Sequence, residues 1–181
     1  MAETATGFGI GDTVPSFTLT DTEGVEHVVP AADAPPATVL IETCNHCPYV
    51  IAWNPRLRKV AEDYLPRGVR FLAISSNDAI RYPADSPARM AEFVRDQQWP
   101  IPYAHDESQD VARVLGAERT PHVFVLDGEQ RLAYRGAPDA DHQDPSQDAA
   151  WLRAALDAVL AGRAPDRAET PSRGCSVKWR G

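Results

Sequence analysis

The sequence predicts a single α/β domain, and three observations lead to that class. Two short apolar runs, Val39 to Ile41 and Phe71 to Ile74, have the composition of strands that are buried on both faces. Longer stretches with apolar residues at helical spacing follow both runs. The 181 residues, with 43% hydrophobic content, are enough for one core without disulfide support.

The first half of the chain is predicted to form a hairpin, a strand, a helix and a second strand. Short apolar segments flank the turn-forming residues Asp21 to Gly24, a pattern typical of a hairpin. Pro55 is expected to kink the helix that follows, because proline removes a backbone donor. The predicted elements are strands 17–20, 25–29, 37–43 and 70–75, and a helix that begins at Pro48.

The second half is predicted to contain three helices and another hairpin. Ser86 and Pro87 supply an N-cap and a first-turn proline, and Gly162 stops the last helix. The acidic segment 136–147 is expected to be an exposed loop. The predicted elements are a helix from Ser86 to Trp99, a helix over 108–115, strands 123–126 and 131–135, and a helix over 151–160.

Charge and hydropathy exclude two classes of partner. The formal net charge is −8, and the basic residues include only two lysines, so no basic stripe is available for nucleic acid. No apolar run approaches the roughly 18 residues that a membrane span needs. The first 15 residues lack the pattern of a secretory signal, so a cytoplasmic location is expected.

Two cysteines separated by two residues lie between the predicted strand and the helix. Because a helix N-terminus stabilises a thiolate, we expect Cys44 to attack disulfides with a lowered pKa and Cys47 to resolve the mixed disulfide. His46 can donate to the Cys44 sulfur and so favour the reduced form. The alternative for a CxxC motif is half of a zinc site, but the sequence has no second pair, since its one other cysteine is Cys175.

Several segments together carry a family resemblance that spans residues 10–180. They are CNHCPYV at 44–50, SND at 76–78, YP at 82–83 with DS at 85–86, TP at 120–121, and GCSVKW at 174–179. In these segments the chain resembles the peroxiredoxin-like (AhpC/TSA, redoxin-type) branch of the thioredoxin superfamily. The resemblance implies a thioredoxin-like fold, in which helices flank both faces of a central mixed sheet and the N-terminal hairpin is an extension.

The same resemblance implies a site made of Cys44, Cys47, His46, Thr120 and Pro121, with the proline in the cis form opposite the dithiol. The residues alone leave the isomer of Pro121 open. A cis bond would bare the backbone of Thr120 for pairing with an extended substrate peptide.

Several polar residues near these segments have competing interpretations. Arg119 stands where relatives carry a cysteine before Thr-Pro, so a cysteine relay through the Thr-Pro loop is excluded. Thr43 stands where relatives often have an apolar residue. We expect Glu42 to be a solvated charge rather than a proton acceptor, and His122 to face solvent rather than the dithiol. The remaining expectations are turn chemistry for Ser76, Asn77 and Asp78, and surface positions for His27, His105 and His142.

The C-terminal segment, residues 163–181, is rich in proline and charged residues. Residues 1–162 are predicted to form the domain, and residues 163–181 a tail that docks on it through Val177 and Trp179. Cys175 is either a small buried residue of that tail or a third redox partner that reaches the dithiol. Its apolar neighbours favour the buried structural role.

Three functions are compatible with the motif. The first is a thiol–disulfide oxidoreductase that needs no cofactor, acts on a protein or small-molecule disulfide and is reset by a cellular dithiol. The second is a thiol peroxidase, which is weakened because the signature P-x-x-x-T-x-x-C is missing around both cysteines. The third is a copper- or zinc-binding protein that resembles copper chaperones of the same superfamily.

Overall fold

The computed structural model describes residues 8–181, so the first seven residues of the predicted domain lie outside the described part. The helices are α1 (Pro48–Tyr64), α2 (Pro87–Gln97), α3 (Asp110–Leu115) and α4 (Ala150–Leu160). The strands are β1 (Phe17–Thr20), β2 (Glu26–Val29), β3 (Thr38–Glu42), β4 (Arg70–Ser75), β5 (Tyr103–His105), β6 (Arg119–Thr120), β7 (His122–Leu126), β8 (Leu132–Gly136) and β9 (Cys175–Ser176).

Five of these strands form the central sheet, in the order β5-β4-β3-β7-β8. Strand β3 runs parallel to β4 and antiparallel to β7, so the sheet is mixed. Two small antiparallel pairs, β1 with β2 and β6 with β9, lie outside it. The α/β class, the mixed sheet and the N-terminal hairpin predicted from the sequence are confirmed.

Both faces of the central sheet are covered, so side chains that point alternately to the two faces are buried on either side. Val39 and Ile41 face one side of the sheet and pack with α1, α2 and α4. Leu40 faces the other side and packs with α3 and the N-terminal hairpin. Burial on both faces is the reason that β3 and β4 have continuous apolar runs rather than alternating polar residues.

Helix α1 positions the end that carries the two cysteines. It begins at Pro48 with Cys47 as its N-cap, and it is continuous through Pro55 to Tyr64. Cys44 therefore lies before the helix, three residues ahead of the N-cap, rather than in its first turn.

The segment after β8 differs from its prediction. Residues 136–139 are buried, and Asp139 is fully buried against α1. Its carboxylate accepts hydrogen bonds from Trp53 Nε1 at 2.8 Å and from Arg56 Nη1 at 2.7 Å. The prediction of an exposed loop over 136–147 was wrong for its first part, because this acidic residue neutralises a buried arginine.

Three short strands were not predicted. Strand β5 has only three residues and follows Pro100 and Pro102, which hide its pattern. Strands β6 and β9 have two residues each and pair across more than 50 positions of sequence, so no local pattern marks them. Among residues 8–181, no helix combines the length and apolar character needed to cross a membrane.

Candidate functional site

The dithiol lies where β3 ends and α1 begins, against the residue that precedes Pro121. The Sγ atom of Cys47 donates to the carbonyl oxygen of Thr120 at 3.3 Å. The Sγ atom of Cys44 lies 3.5 Å from the Thr120 hydroxyl. The Thr120–Pro121 peptide bond is cis. The structure thus brings the five predicted site residues together, since a ring nitrogen of His46 also lies within 4.8 Å of the Cys44 sulfur.

Both sulfurs are enclosed, with Cys44 3% exposed and Cys47 fully buried. The dithiol is therefore covered by its surroundings in this structure. All three cysteines of the chain are free thiols.

The charge of the dithiol is not distributed as the sequence predicted. Hydrogen bonding with Cys44 lowers the pKa of Cys47 to about 4, against the opposing effect of burial, and contact with Cys175 adds to the lowering. The pKa of Cys44 is raised by its hydrogen bond to Cys47, by burial and by the nearby carboxylate of Asp85. The interaction between the two sulfurs is the largest cause of both pKa shifts, and it favours the thiolate on Cys47 and the proton on Cys44.

His46 does not make the contact that was predicted for it. Its Nδ1 atom lies 2.7 Å from the Asp85 carboxylate, and its ring stacks on Tyr82. The expected hydrogen bond to the Cys44 sulfur is absent among the described contacts of these residues. His46 instead contacts Asp85, the acid whose charge contributes to the raised pKa of Cys44.

Asp85 is a site residue that the sequence reasoning missed. It is fully buried, and it accepts hydrogen bonds from Asn45 N at 2.7 Å and from Asn77 Nδ2 at 2.8 Å. The carboxylate therefore fixes the backbone inside the CxxC motif. A signal existed, because Asp85 belongs to a segment of the family resemblance to which no role was given.

Three side chains at this position have donor atoms suited to a metal ion. One ligand atom each from Cys44, His46 and Asp85 lie within 4.8 Å of one another. Both oxygens of Asp85 already accept hydrogen bonds from Asn45 and Asn77, which reduces the capacity of the cluster for a cation.

Glu42 was expected to be solvated, and this was wrong. It is fully buried and receives hydrogen bonds from the amide and hydroxyl groups of Ser76, at 3.0 and 3.1 Å. The Ser76 hydroxyl also contacts Asp106 at 2.8 Å. Burial, with a further contribution from the charge of Asp106, raises the pKa of Glu42 well above its usual value.

Of the other polar residues, one makes the predicted turn contact, and the rest are more buried than predicted. His122 is buried, not solvent-facing, and burial lowers its pKa to about 4. Asp78 does make the predicted turn contact, accepting from Ile80 N at 3.0 Å, whereas Ser76 and Asn77 serve buried networks. The predicted surface histidines are all partly buried: His27 beside Asp21, His142 against Tyr49, and His105 near the end of β5.

Cys175 is part of the site. It packs against the cluster formed by Cys44, Cys47 and Val50. Burial and its interaction with the Cys47 sulfur raise the pKa of Cys175 to about 11. The sequence favoured a structural role for Cys175 within the tail and left open the contact with the dithiol that is found here.

Comparisons with known proteins agree with this architecture. The AhpC/TSA family model matches residues 10–135. An uncharacterized conserved protein from Geobacillus kaustophilus is 38% identical with a TM-score of 0.88, over 97% of this chain and 94% of that one. A hypothetical protein from Sinorhizobium meliloti 1021 is 35% identical with a TM-score of 0.90, over 97% of both chains.

A more distant structure shares the fold. The peroxidoxin BcpB from Mycobacterium tuberculosis is 19% identical with a TM-score of 0.63, over 86% of this chain and 97% of that one. No curated protein matches the chain with significance. Since the family model covers more than half of the sequence, the chain belongs to the AhpC/TSA family.

Proposed function

We propose that the protein is a thiol–disulfide oxidoreductase that works through Cys44 and Cys47. The observation that carries the proposal is the contact of both sulfurs with a single residue, Thr120, at the junction of β3 and α1. Two thiols in mutual contact, one of them favoured as a thiolate, have the arrangement that disulfide exchange requires.

Exposure and charge assign different roles to the two cysteines. Cys44, which is 3% exposed while Cys47 is fully buried, attacks the substrate disulfide, and its proton passes to the Cys47 thiolate. A Cys44–substrate disulfide forms, and the other half of the substrate leaves as a thiolate. The Thr120 carbonyl then holds the proton on Cys47, 3.3 Å away.

The second step closes the disulfide. Cys47 gives its proton to the departing thiolate and attacks the Cys44 sulfur, which forms the Cys44–Cys47 bond and releases the rest of the substrate as a thiol. The substrate gains two electrons and one proton from the protein, and the half that left first as a thiolate takes its proton from water. A cellular dithiol reductant resets the pair, and a reducing compartment such as the cytoplasm suits a protein with three free thiols.

A groove of about 410 Å³ includes Asn45, the residue that follows Cys44, while neither cysteine lines it. Ile51, Phe93 and Trp99 give the groove apolar walls, which we propose receive an apolar group of the substrate.

Single-turnover oxidation tests the proposal. Reduced protein is mixed with one equivalent of oxidised glutathione, quenched with acid, alkylated, digested and mapped by mass spectrometry. We expect a Cys44–Cys47 disulfide and two equivalents of free glutathione. The matched control is Cys44→Ser with Cys175→Ser, in which no internal disulfide can form, so the second equivalent of glutathione should not be released. A wild-type protein whose Cys44 stays free would refute the proposal.

A thiol peroxidase is the second candidate, favoured by family membership and by the Thr120 hydroxyl 3.5 Å from Cys44, a donor for a leaving oxygen. In that reaction the Cys44 thiolate breaks the O–O bond of a hydroperoxide and forms a sulfenic acid, and the rest of the hydroperoxide takes up a proton and leaves as an alcohol or water. Cys47 then displaces the sulfenic oxygen as water to form the disulfide. Peroxide in place of glutathione distinguishes the two: faster oxidation by hydrogen peroxide than by disulfide would favour the peroxidase.

A further inference from the structure

The C-terminal tail occupies the edge at which the sequence predicted a substrate peptide. Strand β9 pairs antiparallel with β6, with Cys175 opposite Thr120 and Ser176 opposite Arg119. Val177 N extends the pairing by donating to Glu118 O at 3.1 Å. The backbone before Pro121 is therefore covered by the chain itself rather than bare.

The approach of the tail to this edge depends on a glycine. Gly174 has a φ of +150°, and a Cβ atom at this position would lie 1.9 Å from the carbonyl oxygen of Thr120. No other residue type fits that space without a shift of the backbone. The carbonyl that contacts Cys47 is thus in close contact with the tail as well.

Further hydrogen bonds hold the tail on the other side of Cys175. Lys178 N donates to Asn77 Oδ1 at 2.8 Å, and Lys178 O accepts from Asp78 N at 2.9 Å and from Gln109 Nε2 at 2.9 Å. Arg180 N donates to Gln109 Oε1 at 3.0 Å. Cys175 is therefore held between two anchored segments, and its contact with Cys47 is a fixed feature of the fold.

The three cysteines lie in one cluster, in which Cys47 interacts with both Cys44 and Cys175. Cys44 and Cys47 are buried, whereas Cys175 is partly exposed. A pure anchoring role needs an apolar side chain but no thiol beside the buried cysteine. This juxtaposition is that of a thiol which can exchange with a disulfide of its neighbour.

We propose that Cys175 is a third redox cysteine, through which a dithiol reductant reaches the oxidised Cys44–Cys47 pair. The inference rests on the proposed function and assigns a route for its reset. Cys175 attacks Cys47, so that the Cys47–Cys175 bond forms and the Cys44–Cys47 bond breaks. Cys44 leaves as a thiolate and takes up the proton that Cys175 has lost, and no external oxidant is needed.

The reductant completes the reset at the partly exposed sulfur. One of its thiolates attacks Cys175, which releases Cys47 as a thiolate, and its second thiol then displaces Cys175. The reductant becomes a disulfide, and all three cysteines return to the thiol form. A reductant that attacks Cys175 does not have to reach the sulfur of Cys47, which is fully buried.

Two measurements test this route. The first maps the disulfide that forms when Cys44→Ser is treated with one equivalent of oxidised glutathione. We expect an internal Cys47–Cys175 bond, which should be absent in the matched variant Cys44→Ser with Cys175→Ser. The proposal would be overturned if Cys175 were recovered only as a free thiol or as a mixed disulfide with glutathione.

The second measurement is the rate at which dithiothreitol reduces the oxidised protein. We expect Cys175→Ser and Cys175→Ala to slow this step by about tenfold, since attack must then occur at the enclosed pair. Gly174→Ala should slow it as well by displacing the tail, whereas Ser176→Ala, an exposed neighbour, is the control. Equal rates in all variants would overturn the route. The proposed function is tested independently, by mapping whether Cys44 of the wild-type protein forms a disulfide.

Discussion

The carbonyl oxygen of Thr120 lies 3.3 Å from the Sγ atom of Cys47, in position to accept the proton of that thiol. The hydroxyl of the same residue contacts Cys44 at 3.5 Å. Thr120 therefore contacts the two sulfurs through different groups. The backbone group supports the protonated form of Cys47, and the side chain supports the developing charge on Cys44.

Thr120→Val is expected to slow attack by Cys44 while preserving the shape of the site. The main cause of the raised pKa of Cys44 is its hydrogen bond to Cys47, and the Thr120 hydroxyl acts in the opposite direction. Loss of a bond of about 1 kcal/mol corresponds to a rate lower by about fivefold. The measurement is stopped-flow oxidation by a small aromatic disulfide. Thr120→Ser keeps the hydroxyl and should retain most of the rate; equal slowing of both variants would contradict the assignment.

His46→Gln is expected to make the reduction potential of the dithiol more negative. His46 lies 2.7 Å from Asp85, and its removal leaves that carboxylate less compensated beside Cys44. The reduced form loses stabilisation, so we expect a shift on the order of 10 mV. Equilibration with glutathione buffers measures it, with His27→Gln as the control. An unchanged or more positive potential would show that the imidazole does not offset the acid.

Glu42→Gln should change the pH dependence of stability. Burial raises the pKa of Glu42 in the folded protein, so its contribution is fully present below the unfolded pKa and is lost as the pH rises through the folded value. Glutamine reproduces the neutral form and can donate to the Ser76 hydroxyl. We therefore expect the Tm of the variant, relative to wild type, to increase as the pH rises.

Thermal unfolding at several pH values measures this difference. Glu23→Gln, at an exposed position of the hairpin turn, is the matched control and should show little pH-dependent difference. A Glu42→Gln variant that loses stability relative to wild type as the pH rises would mean that Glu42 is ionised in the folded protein.

Asp139→Asn should destabilise the fold. The Asp139 carboxylate neutralises Arg56 and accepts from Trp53, both on α1. Removing one partner of a buried ion pair leaves an uncompensated charge and costs about 3–5 kcal/mol. Urea unfolding measures the loss, and Asp166→Asn at an exposed position provides the comparison. A change within 0.5 kcal/mol, roughly that of a neutral surface substitution, would show that Arg56 finds other acceptors.

The local features of this fold could be predicted from the sequence, whereas its long-range contacts could not. The apolar run before Cys44 identified β3, and the spacing after Pro48 identified α1. Both patterns are contained within one element. The position of the dithiol between them followed directly.

The misjudged residues depend on partners far away in the chain. Glu42 looked solvated at a strand end, but Ser76 and Asp106 enclose it from two other strand ends. Asp85 reaches the CxxC motif across 40 positions. Cys175 reaches Cys47 because its strand pairs with Thr120. A single sequence carries no periodic signal for such pairings, and only the family resemblance marked these segments.

Trapping the first covalent intermediate tests the central claim most directly. The Cys47→Ser variant is mixed with a limiting amount of a small aromatic disulfide, and the modified cysteine is identified by mass spectrometry after digestion. The account predicts a stable mixed disulfide on Cys44, because the resolving sulfur is gone. An adduct confined to Cys175, or no adduct in a folded variant, would contradict it.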